Sequence, residues 1–508
     1  MEKNLYYILI SSLFLYMITK HFLHKFRKFP PRPFFSLPII GHLYLLNKPL
    51  HRTLAKISNR YGPVVFLELG SRPVLLVSSP AAAEDCFTTN DLTFANRPKL
   101  LAGKHLGYNY TTLAWAPYGP HWRNLRRIAS LEILSANRIQ KFTGIRRDEI
   151  ISLVSNLFAG SQKDDRFVVA DMKSCFFKMT LNTIMMMIIG RRCYGEDTEE
   201  PVAGKLREMV EETFRLSGGM SNIGDFLPMV KWVGLNSMEK KMEELNLKKD
   251  STMQEMIEGH RRMRKSDSAC YEEGKTIVDV LLSLQQMEPE YYTDEIIRGL
   301  ILVMISTGTD TSAGTLEWAL SLLLNHPDSL KTAINEIDNK VGSSRLMNDS
   351  DLSNLPYLHG VINETFRMCP VAPLIPPHES TKECIVGGFR VPAGTMLLVN
   401  LWAIQNDPKL WKEAERFKPE RWIEIEGQRD GFKFMPFGSG RRACPGEGLA
   451  MRMIGLSLGM LLQCFEWERI GVEKVDMNEG FGLTMPKARP LVAKYRPRPH
   501  MVDLLSRT

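Results

Sequence analysis

One segment near residue 300 limits the fold more than any other. Leu300, Ile301, Leu302, Val303, Met304 and Ile305 are apolar without a break, so a helix through them has no polar face to show to water and other elements must surround it. The spacing on either side predicts a helix from about Glu295 to Leu324 running through the middle of the fold. Its centre breaks the pattern. Thr307, Gly308, Thr309, Asp310, Thr311 and Ser312 place a carboxylate, several hydroxyls and a helix-weakening glycine where apolar packing is expected. A buried acid is costly unless it is hydrogen-bonded or used. Two readings stand at this point: a site that handles protons, or a hydroxyl-lined kink in which Asp310 pairs with a neighbour.

The rest of the chain supplies helices to wrap that axis. Amphipathic stretches cover Asp148 to Phe158, Ala203 to Leu216, Met238 to Met263 and Thr276 to Gln286. Short β-like runs occur at Val64 to Leu69, Pro73 to Val77, Cys384 to Phe389, Thr395 to Asn400 and the carboxyl end. The class is mainly α with a small β portion. Residues 50–508 contain no linker, low-complexity tract or repeat, so they read as one large domain. Hydrophobic content of 44% and charged content of 24% allow a sizeable core and exclude disordered and fibrous classes. The net charge of +8 suits an acidic partner or an anionic membrane surface. No nucleic-acid-binding signature is present, so no nucleic-acid partner is expected.

Residues 1–28 read as a single-pass membrane anchor with a basic flank. Leu5 to Ile18 is apolar apart from Ser11 and Ser12, and Lys20, Lys25, Arg27, Lys28 and Arg32 follow. The run is short against the ~20 residues that span a bilayer, and Phe22, Leu23 and Phe26 extend it. The rivals are a cleaved secretory signal, for which no small-residue cleavage site is visible, and an ordinary buried helix. Positive charge after the apolar run places the body on the cytosolic side. Residues 29–49, with Pro30, Pro31, Pro33, Pro38 and Gly41, form an extended hinge that cannot continue a helix.

Eight cysteines are scattered without any C-x-x-C pair, so they read as reduced thiols, and a metal role would need a single axial thiolate. One of them is set apart by its surroundings. In Pro436-Phe437-Gly438-Ser439-Gly440-Arg441-Arg442-Ala443-Cys444-Pro445-Gly446, three glycines permit a tight loop with backbone close to a flat ligand, and Phe437 can pack against it. An apolar helix begins at Glu447, which puts Cys444 before a helix start, where amides and the helix dipole favour a thiolate. Arg442 adds a cation suited to a ligand carboxylate. A lone cysteine is more often a small buried hydrophobe, and the glycines, paired arginines and helix start weigh together against that.

Phe437, Gly440, Arg442, Cys444 and Gly446 match in full the haem-binding signature of the cytochrome P-450 superfamily, which this chain resembles over essentially its whole length after the anchor. The resemblance implies the fold of that family, haem b with Cys444 as axial thiolate ligand, and an oxidoreductase that is a monooxygenase. Glu364 and Arg367 look like the family's Glu-x-x-Arg pair and Arg421 like the third member of its structural charge network. Trp122, Arg126 and His378 take the places of donors to the haem propionates. Asp310 and Thr311 match the acid and alcohol that deliver protons during dioxygen activation. One departure is Thr307, where the motif normally has a small residue. A bulkier hydroxyl there affects substrate pose, water position or coupling.

The resemblance also implies dioxygen as co-substrate and electrons from NADPH through a diflavin reductase in the same membrane, because the chain has no dinucleotide loop of its own. Arg441, Lys433 and Arg127 are candidates for the basic face it would meet. The implied location is the endoplasmic reticulum membrane, with the catalytic domain facing the cytosol. Stretches such as Phe94-Ala95-Asn96-Arg97-Pro98 and Trp115-Ala116-Pro117-Tyr118-Gly119 are similar to plant microsomal members, above all the group of isoflavone hydroxylases and lignan methylenedioxy-bridge-forming enzymes. A lipophilic secondary metabolite, an isoflavonoid or lignan, is the expected substrate, with terpenoid or fatty-acid hydroxylation as the alternative. Pocket residues are expected from Leu101 to Leu113, Val303 to Thr311, Val371 to Pro376 and Phe481 to Thr484, with Thr307, Val371 and Leu483 as particular candidates. Outside that class stand a reductase-independent haem-thiolate isomerase or dehydratase and a non-catalytic haem sensor, for which a complete proton-delivery motif is unexplained.

Overall fold

The computed structural model describes residues 22–161, 166–195, 200–218, 222–231, 234, 237–266, 276–424 and 431–507, with Tyr7, Ser11, Ser12, Leu15, Tyr16, Ile18 and Thr19. The expected axis is a helix over Asp294–Asn325, begun where the Thr293 side chain accepts the N–H of Ile296. Leu300, Ile301, Leu302 and Ile305 are buried in it, whereas Val303 and Met304 are only half-buried, and Leu302 and Val303 border a cavity. Two apolar cores meet on this helix. Ile297 to Ile305 belong to one and Ala313 to Leu324 to the other, and the polar stretch 307–312 is the seam between them. Gly308 lets the helix Met172–Ile189 come close: a Cβ at 308 would lie 2.8 Å from Ile184 Cδ1.

The amphipathic stretches fold as helices over Thr143–Ser161, Glu200–Ser217, Ser237–Ser266 and Ile277–Met287. A four-stranded sheet runs in the order Val64–Leu69, Arg72–Val77, Met396–Val399, His378–Glu379, with the middle pair parallel and the outer pairs antiparallel. The β-like run at 384–389 is in fact a hairpin of Cys384–Val386 and Phe389–Val391, because Gly387 and Gly388 both take positive φ and turn the chain. Val168–Asp171, Val492–Pro497 and Phe465–Glu468 make a third sheet.

Residues 29–49 lie along the first strand. The Pro31 carbonyl accepts the Phe66 N–H at 2.8 Å and Arg32 pairs with Glu68 at 3.1 Å. Much of the stretch expected to be an anchor falls outside the described residues. Among those described, no helix is long and apolar enough to cross a membrane.

Helix Pro356–Met368 carries Glu364 and Arg367, both fully buried. Arg367 donates through Nε and Nη2 to the two Glu364 oxygens, each at 2.9 Å. Arg421 Nε adds a bond at 3.0 Å, Trp422 Nε1 one at 2.9 Å and the Lys418 N–H one at 3.0 Å. Five donors around one carboxylate compensate its loss of water. Phe366 of the same helix meets the Phe437 ring edge-on at 5.3 Å, so this network stiffens the support beneath the cysteine loop.

Candidate active site

The cysteine loop closes as its glycines require. Gly440 has φ +70°, and a Cβ there would stand 2.5 Å from Asp91 Oδ1 and 3.1 Å from the Phe87 carbonyl. The Cys444 N–H donates to the Phe437 carbonyl at 2.8 Å, and the helix Glu447–Cys464 follows. A Cβ on Gly446 would stand 3.8 Å from the Cys444 sulfur. Of the described cysteines, Cys444 alone is exposed; the others are buried or half-buried. Protein nevertheless crowds it. Burial pushes its thiol up, while the Gly446 amide and the Arg126 guanidinium act towards the thiolate. The sulfur thus opens onto an internal space, as an axial ligand must.

Cations gather around the cysteine loop. Arg126 Nη1 donates to the Ala443 carbonyl at 2.6 Å. Arg442 Nε donates to the Ala95 carbonyl and Nη2 to that of Ala116 at 2.5 Å, and its guanidinium lies 4.6 Å above the Trp122 ring. Burial, then Arg97 and Arg126, push Arg442 down to about 8. Arg97, which the sequence reading did not single out as a cofactor residue, is pushed down to about 10 by burial and donates to the carbonyls of Ala114, Pro376 and Pro377. His378 hydrogen-bonds the Phe94 carbonyl through Nδ1 at 2.7 Å. Burial, with Arg97 and Arg442, holds it well below the usual histidine range.

Among the described residues, none of Arg97, Arg126 and Arg442 has a carboxylate partner. Three guanidiniums held together without an acid are costly, and a dicarboxylate such as haem offsets that repulsion. The donor set therefore fits haem: an exposed thiol for the iron, and cations without acids for two propionates. Trp122 differs from expectation in one respect, because its indole N–H already donates to the Leu113 carbonyl at 3.1 Å.

In the central helix, hydroxyls turn back on the backbone: Thr307 to the Val303 carbonyl at 2.7 Å, Thr311 to that of Thr307 at 2.6 Å and Thr315 to that of Thr311 at 2.8 Å. Asp310 accepts a bond from the Thr484 hydroxyl at 2.9 Å. Burial raises its pKa to about 6, the Thr484 bond and Lys173 oppose the rise, and Glu211 adds to it. Asp310 thus has a hydrogen-bonded neighbour, as the kink reading expects, together with a near-neutral pKa suited to handling protons. Asp310 and Thr311 share no hydrogen bond; the first turns to Thr484 and the second borders the cavity.

That cavity has a volume of about 700 Å³. All four segments expected to line it do so, with Thr307, Thr311 and Leu483 among the residues. Val371 does not line it. It is buried, and its carbonyl accepts the Met485 N–H at 2.7 Å, so the lining begins one residue later, at Ala372. The sequence reading missed the wall formed by 213–218 and by Met238, Met242 and Lys249. Arg441 is half-exposed and paired with Asp91 at 3.1 Å, and exposed Arg127 bonds the Asn124 side chain.

Residues 30–493 match the family model described as Cytochrome P450. The chain is 49% identical over 501 residues to Cytochrome P450 81Q32 of Catharanthus roseus, covering 99% of this chain and 97% of the relative. It is 46% identical to an isoflavone 2'-hydroxylase of Glycyrrhiza echinata, covering 98% and 97% of the two chains. It is 44% identical to a (+)-piperitol/(+)-sesamin synthase of Sesamum radiatum, covering 94% and 92%. On this match and on a site whose residues fit haem, the chain belongs to the cytochrome P450 family of haem-dependent monooxygenases.

Proposed function

We propose that this monooxygenase oxidises a lipophilic phenylpropanoid-derived metabolite, an isoflavonoid or a lignan, by hydroxylation or by closing a methylenedioxy bridge. What carries the reading is the likeness, over nearly the full length, to an isoflavone hydroxylase and to a sesamin synthase. A cavity bordered by Ala102, Leu106, Leu302, Leu374, Ile375 and Leu483 supports an apolar polycyclic ligand.

Haem, when bound, supplies the dioxygen activation and oxygen insertion, and the chain's residues do the rest. Cys444 ligates the iron. Arg97, Arg126, Arg442 and His378 bind the propionates, with Trp122 stacked beneath Arg442. Phe437, Gly440 and Gly446 shape the loop that holds the sulfur in place. Asp310, poised near neutrality, takes up and releases protons, and the Thr311 hydroxyl, its own proton donated to the Thr307 carbonyl, offers its oxygen as an acceptor at the cavity. Thr307 and Leu483 shape the substrate's position. Electrons come from an NADPH-dependent diflavin reductase, and residues 1–28 anchor the chain in the endoplasmic reticulum membrane with the catalytic body in the cytosol.

The test is expression in microsomes with a plant diflavin reductase, followed by NADPH-dependent conversion of a panel of isoflavones, lignans, terpenoids and fatty acids. Conversion of an isoflavone or lignan is expected. Conversion of terpenoids or fatty acids alone overturns the substrate class.

A further inference from the structure

The helix Ser237–Ser266 turns an apolar stripe inward: Met242, Leu245, Met253 and Ile257 are all buried at the spacing of one helix face. Lys249 stands in the middle of that stripe. It is fully buried, borders the 700 Å³ cavity, and its Nζ has no hydrogen-bond partner among the described residues. Burial alone pulls its ammonium down to about 7, and no carboxylate acts on it.

The acids nearby are engaged elsewhere. Asp250, the next residue, pairs with Arg298 at 2.7 Å. Asp225, the one carboxylate among the described residues of the cavity wall, accepts the Leu101 N–H at 2.7 Å. A buried amine without an acceptor is unfavourable, and a methionine at 249 would continue the stripe without that cost. The amine lacks an acceptor among the described residues, and the side chain that carries it borders the space a substrate enters.

Its position also orients a ligand. Through Asp250 and Arg298 the turn carrying Lys249 is tied to the central helix just before Leu302, where that helix begins to line the cavity. Thr311 is at the other end of the lining stretch. From Leu302 to Thr311 the helix rises about 14 Å, a span suited to a two- or three-ring aromatic molecule lying lengthwise. Thr112, buried on the same cavity with a hydroxyl that has no partner among the described residues, packs on Gly299, whose added Cβ would be 3.2 Å from Thr112 Cγ2. A second free donor therefore stands at the level of Lys249.

We propose that Lys249 is a specificity-determining residue that binds the phenolic oxygen of an aromatic substrate at the end of the cavity remote from Thr311, so that the opposite end of the molecule is presented for oxidation. For the identity of the acceptor this rests on the phenylpropanoid reading above. A substrate with a free phenol is held; the same molecule with that oxygen methylated leaves the amine without an acidic partner and is discriminated against.

The experiment is equilibrium dialysis of the haem-loaded full chain against para-phenylphenol and para-methoxybiphenyl, for the wild type, Lys249→Met and Lys249→Arg, with haem content as the check of folding. The wild type is expected to bind the phenol at least about tenfold more tightly than the ether, as one hydrogen bond to a charged group allows. Lys249→Met should abolish that preference through lost phenol affinity and Lys249→Arg should retain part of it. Should the methionine variant lose haem, Lys249→Gln takes its place. A wild type that does not prefer the phenol, or a preference unchanged in the methionine or glutamine variant, overturns the proposal. Isoflavone and lignan turnover by the wild type is measured in parallel. Turnover without a Lys249-dependent preference overturns the Lys249 assignment alone, and the preference without turnover overturns the substrate class alone.

Discussion

The Thr484 hydroxyl donates to the Asp310 carboxylate at 2.9 Å, tying the cavity loop near the carboxyl end to the polar centre of the long helix. That bond favours the charged form of an acid that burial drives the other way. Thr484→Val removes the donor and keeps the shape, so the pKa of Asp310 rises further above about 6. The inflection that Asp310 gives to the pH profile of NADPH-dependent product formation should move up by about one unit or less. It should vanish in Asp310→Asn. The same inflection in wild type and Thr484→Val would show that Asp310 does not set it.

The same acid makes a prediction about stability. Its pKa in the fold, about 6, is above the ordinary 3.8, so the folded state holds this proton more tightly than the unfolded state. Stability is then full below pH 3.8 and falls as pH rises through about 6. Asp310→Asn removes the burden of the buried charge. It should be more stable than the wild type above neutrality, by on the order of 3 kcal/mol, and gain nothing at low pH. Denaturant unfolding at acid and alkaline pH checks this; a gain independent of pH would contradict it.

Cys444 is the described cysteine with an open sulfur. Cys444→Ala is expected to abolish the thiolate-type Soret band of the reduced carbon monoxide complex. An unchanged band would remove Cys444 from the ligand position.

Arg97 has no acid partner among the described residues and lies close enough to Arg442 and His378 to depress the pKa of both. If it neutralises a propionate, Arg97→Leu should release haem to apomyoglobin about tenfold faster, the effect of one charge-assisted hydrogen bond. Arg97→Lys should lie between the two. An unchanged release rate in Arg97→Leu would confine Arg97 to bracing the carbonyls of Ala114, Pro376 and Pro377.

Much of this site was legible along the chain because its parts carry short-range constraints. The glycines and the helix start around Cys444 are local chemistry, and the structure reproduces the helix boundary at Glu447. The continuous apolar run at 300–305 implied a surrounded helix, which is observed over Asp294–Asn325. What stayed hidden depends on contacts between residues far apart in sequence. Thr484 and Asp310 are 174 positions apart, and nothing local marks the threonine as the acid's partner. Arg97 reads as one more basic residue until its three carbonyl partners bury it. Val371 was assigned to the cavity on position alone, but its backbone pairing with Met485 fixes it just outside the lining. Lys249 did carry a local signal, a charge inside an apolar stripe, although only the cavity on that face makes the charge meaningful.

Glu364 separates charge from hydrogen bonding in the support beneath the haem loop. Its carboxylate is fully buried and faces two guanidiniums, an indole and a backbone amide. Glu364→Gln leaves the buried Arg367 without a counter-ion, a loss of about 3–5 kcal/mol. Trp422→Phe removes a single donor; its ring still packs against Phe434 and Trp411, now at 4.4 and 5.6 Å between centroids, so its loss should be about 1–2 kcal/mol. Urea unfolding of the two variants tests the ranking. Because Phe366 on the same helix abuts Phe437, the larger loss should also appear as faster haem release in Glu364→Gln, with little change in Trp422→Phe. Equal losses in the two variants would mean that packing around Trp422, rather than the buried charge, holds this part of the fold.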